Sequence, residues 1–289
     1  MPPERREVSK GRFEVEIDMK LAMKSIVAAA ALVAVGAASA ASQTVTVGGS
    51  VNGYTLTGGS GALTFDRSLV TAINTGGIQL SSVTPATATL LKTSTGKYNN
   101  TDGNRPVFNA PITSLVVDTV SGQVTRASTS GGALLVAPAT IEGEDNLAST
   151  GGSLSVTNIN VDLVAKRVYV DINGANGVGS KTNYYLWDIA SITGDTALKD
   201  GTAITTITGL TIAGGTTGDA FNTFAKSLGL TETGSVALKG VTNYGSIVST
   251  ITATKASTPP TPPIPEPSTY ALMGLGLVGI AAVARRRAK

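Results

Sequence analysis

The amino-acid sequence predicts an all-β protein with a single β-sandwich-like domain over residues 41–255. Among its 289 residues, 34 are glycine and only 14% are charged, and runs of Thr, Ser, Val and Ile alternate with Gly, Asn and Asp. This composition is typical of short strands joined by tight turns. No fixed repeat period is present, so the pattern favours a sandwich over a solenoid.

Two segments of the predicted domain share the pattern Val-Asp-x-Val-x-x-x-Val, residues 117–124 and residues 161–168. Each segment is typical of a strand, a tight turn and a second strand, with the Asp opening the turn. We therefore expect two related hairpins. Chance similarity in a Val-rich chain is the alternative interpretation.

One or two short helices interrupt the β pattern. Over residues 219–228, two Phe, one Ala and one Leu fall at i, i+3, i+4 and i+7, which predicts an amphipathic helix. Residues 232–239, followed by Gly240, predict a second short helix. We expect these helices to close one end of the sandwich.

The formal net charge of +3 belongs to the ends of the chain. Residues 1–40 carry +1, residues 41–264 carry −1 and residues 265–289 carry +3. A nearly neutral body does not favour a nucleic-acid partner. The sequence contains no Cys and no His, which excludes a disulfide framework, Ser/His/Asp and Cys/His catalysis, and His-based zinc sites. An enzyme remains possible only through carboxylate, Lys or Tyr chemistry. We expect no catalytic residue, metal or cofactor, and a protein that is not an enzyme.

The N-terminal region predicts export. Residues 1–18 mix charges of both signs without an apolar run, and we interpret them as a wrongly assigned upstream extension. Translation from Met19 or Met23 would give a signal peptide within residues 19–40, whose small residues Ala38 and Ala40 mark cleavage by signal peptidase after Ala40. Met1 is the third candidate start, and a permanent anchor helix is the alternative to cleavage.

The C-terminal region predicts a membrane anchor. A Pro-rich linker over residues 256–267 is followed by an uncharged apolar segment, 268–284, and a basic tail, 285–289. The apolar segment would form a helix of roughly 25 Å, at the short limit for a hydrocarbon core of about 30 Å. Basic residues remain on the cytoplasmic side of a membrane. We therefore expect a transmembrane helix that ends in a basic cytoplasmic tail.

The order of features at the C-terminus closely resembles the PEP-CTERM sorting signal of Gram-negative bacteria. Pro265, Glu266 and Pro267 match its motif, and Arg285, Arg286 and Arg287 match its terminal basic cluster. The resemblance implies that an exosortase recognises the Pro-Glu-Pro motif, that the arginine cluster is the stop signal, and that the tail is removed. It also implies delivery to the cell surface or an extracellular matrix, commonly in species that make extracellular polysaccharide. A plain membrane anchor on a Pro-rich stalk is the alternative.

Four patterns in the body are candidates for ligand chemistry. Carboxylates in 142–145 and oxygen-bearing side chains in 171–177 could bind Ca²⁺, but both segments favour tight turns. Residues 184–187, Tyr-Tyr-Leu-Trp, could stack on a sugar with Asp188 beside them, although two apolar faces favour a buried strand. Scattered Thr-x-Thr pairs could order water on an ice-binding face, but their irregular spacing argues against such an array.

These observations give three functional hypotheses. The leading hypothesis is an exported, non-enzymatic surface or matrix protein with a structural or adhesive role. A glycan- or polymer-binding module is the alternative, with extracellular polysaccharide as a partner. A hydrolase that uses paired carboxylates is the third hypothesis, and it requires two carboxyl groups roughly 5 to 9 Å apart in a cleft.

Overall fold

A computed structural model describes residues 42–139 and 149–256, and strands dominate this part of the chain. The described strands are β1 (Ser42–Thr46), β2 (Ser50–Val51), β3 (Tyr54–Phe65), β4 (Gln79–Val83), β5 (Thr87–Thr89), β6 (Val107–Asp118), β7 (Val124–Thr129), β8 (Gly132–Ala139), β9 (Thr150–Asp162), β10 (Arg167–Gly174), β11 (Gly179–Gly194), β12 (Gly201–Ile212) and β13 (Gly245–Lys255). The described helices are α1 (Arg67–Thr75), α2 (Asp219–Ser227) and α3 (Glu232–Lys239), with a 3₁₀ turn at Gly215–Thr217. The predicted all-β class with few helices is confirmed.

The strands form one continuous antiparallel sheet. Its central pairings run β3-β6-β7-β9-β10-β11-β12-β13, and β13 pairs again with β3, so these strands close into a ring. The hydrogen bonds therefore do not define two separate stacked sheets, which the sandwich prediction implied. In a ring each strand has a neighbour on both sides, which satisfies backbone groups that an open edge would leave unpaired.

The ring opens at one end, where the long strands exchange partners. β9 pairs with β8 over its first half and with β7 over its last residues, and β4 then pairs with β8. β5 pairs with the start of β6. The helices lie in connections at this same end. Helix α1 follows Phe65, the last residue of β3, and α3 precedes Gly245, the first residue of β13, and these two residues pair with each other. We call this the helix end of the domain.

The two segments with the shared sequence pattern both form hairpins. Asp118 at the end of β6 accepts hydrogen bonds from two N–H groups of its turn, at 2.8 and 3.1 Å. Asp162 at the end of β9 accepts the equivalent two, at 3.1 and 2.8 Å. Gly122 and Lys166 occupy the same position in the two turns, and both have left-handed backbone, with φ of 73° and 53°. The prediction that both segments form hairpins is confirmed.

An ion pair joins these hairpins across the β7–β9 pairing. Arg126 donates to Asp162 Oδ2 at 2.6 Å. Burial raises the pKa of Asp162, but the hydrogen bonds from the turn and from the guanidinium lower this pKa by a larger amount, so the net shift is downward. Turn geometry and charge therefore both favour the ionised carboxylate at this position.

Helix α1 was not predicted. Asp66 begins it, accepting hydrogen bonds from the N–H and hydroxyl of Ser68 at 2.9 and 2.8 Å. Its buried face carries Leu69, Val70 and Ile73. The helix is nine residues long and contains several β-branched residues, which lower helix propensity, so tertiary packing of its apolar face stabilises it. The predicted helices α2 and α3 are confirmed.

Two apolar clusters fill the described part of the molecule. The larger lies among the helices and the strands of the open end, and it contains Trp187, Phe224 and Tyr244. The smaller lies at the opposite end, around Leu56, Leu115 and the start of β7. None of the helices within residues 42–139 and 149–256 has the length and apolar character needed to cross a membrane.

Candidate functional site

The aromatic segment of β11 is divided between the core and the surface. Leu186, Trp187 and Ile189 are at most 5% exposed, so they cannot stack on a ligand. The interpretation of this segment as a buried strand is correct for these three residues. Tyr184 and Tyr185 are only half-buried, and both border a surface groove.

This tyrosine groove has a volume of about 430 Å³. Its lining combines residues of β11 with the chain that connects β12 to α2, namely Thr182, Asn183, Tyr184, Tyr185, Ala213, Gly214, Asp219 and Ala220. The volume falls within the range of about 300–1,000 Å³ that is usual for small-molecule sites. The groove is large enough for a sugar residue.

A bulge in β11 places neighbouring side chains along the same groove. Val170 pairs with Tyr184 and Ile172 with Lys181, so two residues of β11 stand opposite one of β10. Asn183, one of these two, has φ of 48°, and its N–H donates to Asp171 Oδ1 at 2.8 Å. The bulge interrupts the strict alternation of side chains, which explains why four consecutive residues can line one groove.

Hydrogen bonds fix the position of Tyr184 in the groove wall. Its hydroxyl donates to Asp219 Oδ2 at 2.6 Å and lies 3.2 Å from Thr223 Oγ1. Lys181 Nζ donates to Thr223 Oγ1 at 3.0 Å and lies 3.4 Å from Asp219 Oδ2. The same ammonium lies 4.6 Å from the centre of the Tyr184 ring. Lysine, tyrosine and aspartate therefore form one connected polar network between β11 and α2.

The network shifts the ionisation of its members. The hydrogen bond from Tyr184 and the charge of Lys181 lower the pKa of Asp219 despite partial burial. Burial and the hydrogen bond to Asp219 raise the pKa of Tyr184 to about 12. Burial and a hydrogen bond to Asp188 likewise raise the pKa of Tyr185 to about 12. At neutral pH the groove therefore presents neutral phenols and a carboxylate, a set that suits hydrogen bonding to hydroxyl groups.

Two interior cavities among the described residues are too small for an organic ligand. One, of about 30 Å³, lies inside the ring of strands, and another, of about 20 Å³, lies beneath the helices. Each has room for a water-sized molecule only. Trp187 Nε1 and Tyr244 Oη border the second cavity, are buried and have no hydrogen-bond partner among the described residues. Burial raises the pKa of Tyr244.

Several described carboxylates outside the groove serve turns, caps and ion pairs. Asp66 caps α1, Asp118 and Asp162 hold the hairpin turns, Asp195 binds Lys199, and Asp200 accepts a backbone N–H from Lys255. Within residues 42–139 and 149–256, no three acidic side chains gather in a way that could hold a metal ion. The segment predicted as a turn at 171–177 forms the end of β10 and the turn before β11.

The remaining predicted sites lie outside the described residues. These are the acidic group 142–145, the signal-cleavage residues Ala38 and Ala40, the motif Pro265, Glu266 and Pro267, and the basic cluster Arg285, Arg286 and Arg287. The tyrosine groove was only half predicted, because the sequence suggested the aromatic strand but gave no sign that α2 would complete the site.

Fold and sequence together define a β-rich domain followed by a C-terminal sorting signal. The signal is the PEP-CTERM protein-sorting motif, whose family model matches residues 263–287. This match includes the Pro-Glu-Pro triplet and the arginine cluster, and it implies an exported protein that an exosortase processes at the cell surface.

Other comparisons add little about the body of the chain. No curated protein matches the sequence. The crystal structure of the heme binding protein HtaB from Corynebacterium glutamicum is similar at 16% identity, covering 74% of this chain and 97% of that chain with a TM-score of 0.38. A TM-score this low supports no conclusion about fold or function.

Proposed function

We propose that this chain is a non-enzymatic surface or extracellular-matrix protein with a structural or adhesive role. The observation that carries the proposal is the PEP-CTERM motif at residues 263–287. In this proposal, signal peptidase removes residues 19–40, residues 41–255 are exported, and the linker 256–267 joins them to a membrane helix, 268–284, with 285–289 in the cytoplasm. Exosortase then releases the domain to the cell surface or matrix.

The described domain supports a structural role. Two of its interior cavities have room only for water, and several of its carboxylates hold turns and helix ends. The whole sequence lacks His, the usual general base near neutral pH. A closed ring of strands is well suited to load-bearing or packing.

The test is the mass of the mature C-terminus in cells with and without exosortase. We expect the chain to lose the residues after its Pro-Glu-Pro motif only when the enzyme is present. Glu266→Ala should block this loss, whereas Pro260→Ala, in the same linker but outside the motif, should not. An intact Lys289 in both strains would contradict the processing step, and a chain confined to the cytoplasm would contradict export.

A glycan- or polymer-binding role is the second candidate, and the tyrosine groove is the observation that favours it. Half-buried Tyr184 and Tyr185 border the groove, each with a cation over its ring, while Asn183 and Asp219 place polar groups beside them. Aromatic rings bordered by fixed hydrogen-bonding groups are suited to sugars, which present apolar C–H faces and hydroxyls. Extracellular polysaccharide is the polymer that such an exported protein would meet.

Retention of the secreted chain on matrix polysaccharide tests this second role. We expect Tyr184→Ala to reduce retention about tenfold or more, since it removes a ring and a fixed hydroxyl. Tyr54→Ala is the matched control, because Tyr54 lies on β3 away from the groove. No retention of the wild-type chain on any polysaccharide of a broad panel would contradict this role, and equal loss in both variants would place the site elsewhere.

A further inference from the structure

The lining of the tyrosine groove carries a negative charge and no positive one. Among the described residues that border the groove, Asp219 is the only charged one. Its side chain is 75% exposed, so the carboxylate faces any molecule that occupies the groove. The hydrogen bond from Tyr184 lowers its pKa, so the carboxyl group is ionised at neutral pH. A charged ligand therefore meets a carboxylate without a cation beside it in the lining.

The cation that lies behind the Tyr184 ring is held by the groove wall. Lys181 is not part of the lining, and its ammonium donates to Thr223 Oγ1 at 3.0 Å. The same ammonium lies 3.4 Å from Asp219 Oδ2 and 4.6 Å from the centre of the Tyr184 ring. To pair with an anionic ligand, Lys181 would have to give up these contacts. It balances the charge of Asp219 and offers no excess positive charge.

A second cation near the groove is balanced in the same way. Arg167 lies 4.9 Å from the centre of the Tyr185 ring. In the strand register Arg126 pairs with Asp162, Asp162 with Arg167, and Arg167 with Asp188. Residues directly opposite each other on antiparallel strands share one face of the sheet. These four side chains therefore form a row of alternating charge that is neutral as a whole.

The start of helix α2 does not replace the missing cation. The N-terminus of a helix carries a partial positive charge that attracts anions. Asp219 is the first residue of α2, and a carboxylate in the first turn offsets this partial charge. The helix end beside the groove is therefore already occupied by an anion of the chain itself.

The free polar groups of the lining suit uncharged hydroxyl groups. Thr182 and Asn183 are exposed, and their side chains make no hydrogen bond with another described residue. Asp219 Oδ1 is also available, because Tyr184 and Lys181 both bind Oδ2. Hydroxyl and amide side chains donate and accept hydrogen bonds, whereas a carboxylate only accepts them. A sugar hydroxyl can pair with all three groups, while an ionised acid group cannot donate to Asp219.

We infer that the tyrosine groove selects neutral polysaccharides and rejects chains of acidic sugars. This inference rests on the proposed glycan-binding role of the groove. A ligand carboxylate about 4 Å from Asp219 would weaken binding by roughly fivefold even in bulk water, and by more where the groove excludes water. The lost hydrogen bond to Asp219 Oδ1 adds to this repulsion.

Matched pairs of polymers test the inference. The secreted chain would be passed over immobilised polygalacturonic acid and its methyl ester, and over carboxymethylcellulose and hydroxyethylcellulose. We expect the neutral member of a pair to be retained about tenfold more strongly than the acidic member. Raising the salt concentration from about 0.05 to 0.5 M should leave retention on the neutral polymers unchanged and increase it on the acidic ones, because salt screens the repulsion.

A charge-removing variant locates the selectivity. Asp219→Asn removes the charge and keeps an acceptor for the Tyr184 hydroxyl, so we expect the preference for the neutral polymer to fall by about threefold or more. Glu232→Gln is the matched control, because Glu232 is an exposed carboxylate at the first position of α3 and does not border the groove. This control should keep the preference of the wild-type chain.

The outcomes separate this inference from the glycan-binding role. Equal or stronger retention on the acidic polymers, lost in Tyr184→Ala, overturns the charge selection and leaves the glycan-binding role intact. An equal change of preference in Asp219→Asn and Glu232→Gln assigns the selection to the net charge of the domain and overturns the role of the groove in it. No retention on any of the four polymers overturns the inference, and a broad panel that also shows none overturns the glycan-binding role with it.

Discussion

The paired hairpin turns allow a sharp test of backbone strain at two equivalent positions. Gly122 and Lys166 are both left-handed, and the carbonyl of each accepts a hydrogen bond from a neighbouring segment, at 3.2 Å from Leu198 and 3.0 Å from Ile189. These bonds prevent the turns from relaxing to another conformation. Gly122→Ala should therefore destabilise the domain, and Lys166→Gly should stabilise it.

The expected magnitude follows from two opposing contributions. A side chain in the left-handed region costs about 1–2 kcal/mol, while glycine adds unfolded-state entropy equivalent to about 0.4–1 kcal/mol. The net change is about 1 kcal/mol or slightly less, with opposite signs for the two substitutions. A Cβ at Gly122 would meet nothing closer than Asn52 Nδ2, at 3.9 Å, so steric clash does not contribute. Lys166 is exposed, so its removal costs little burial.

The assay is unfolding in urea, followed through the fluorescence of Trp187, which is the single tryptophan and lies in the core. A change of 1 kcal/mol should shift the melting temperature of a domain this size by about 2–4 °C in a parallel thermal experiment. Ala165→Gly is the control, because it adds a glycine to the same turn without relieving left-handed strain. If Lys166→Gly destabilises the domain as much as this control does, the strain argument is wrong.

Three further predictions concern packing, charge and the buried phenol. A Cβ at Gly59 would lie 2.4 Å from the Thr250 carbonyl oxygen, so Gly59→Ala should lower the urea midpoint by the equivalent of about 2 kcal/mol or more. Gly61→Ala is the control, because its Cβ would meet nothing closer than 3.3 Å, and it should lower the midpoint much less; equal effects would contradict the close approach. Because the folded pKa of Asp162 lies below its unfolded value, its contribution to stability is complete near neutral pH and is lost as the pH falls through the folded value. Melting temperatures measured between pH 7 and 3 should therefore decline less steeply for Asp162→Asn than for the wild-type chain, and parallel curves would exclude this role. Tyr244→Phe should leave the urea midpoint unchanged or raise it, because the buried hydroxyl has no partner among the described residues, and a loss above about 1 kcal/mol would indicate a bound molecule on that hydroxyl.

The sequence was informative wherever a local pattern determines structure. Residues 201–212 and 245–255 form β12 and β13 where alternating or continuous β-branched residues lie between glycine turns, the pattern on which the all-β prediction depended. Residues 117–124 and 161–168 formed the predicted hairpins because an aspartate bonded to two turn N–H groups is a local device. Helix α2 was predictable because one face carries the apolar residues that the core needs.

Contacts between distant segments explain what the sequence did not predict. Strand β3 continues to Phe65 through a glycine-rich stretch, although glycine lowers β propensity. Glycine is needed there because β13 approaches Gly59 too closely for any side chain. Ring closure depends on β13 returning to β3, a pairing between segments about 190 residues apart that no periodicity encodes. The tyrosine groove likewise needs α2 to reach β11, so its second wall was invisible in the aromatic strand alone.

The contacts of the groove wall bear on how sorting and binding can coexist in one protein. In the proposed function, exosortase recognises residues 265–267. The groove wall is held within the described domain, where Tyr184, Lys181 and Thr223 bond one another and Asp219. We therefore expect any ligand of the groove to bind the precursor and the released protein equally well. Retention of processed and unprocessed chains on the same polysaccharide tests this expectation, and a clear difference between them would contradict it.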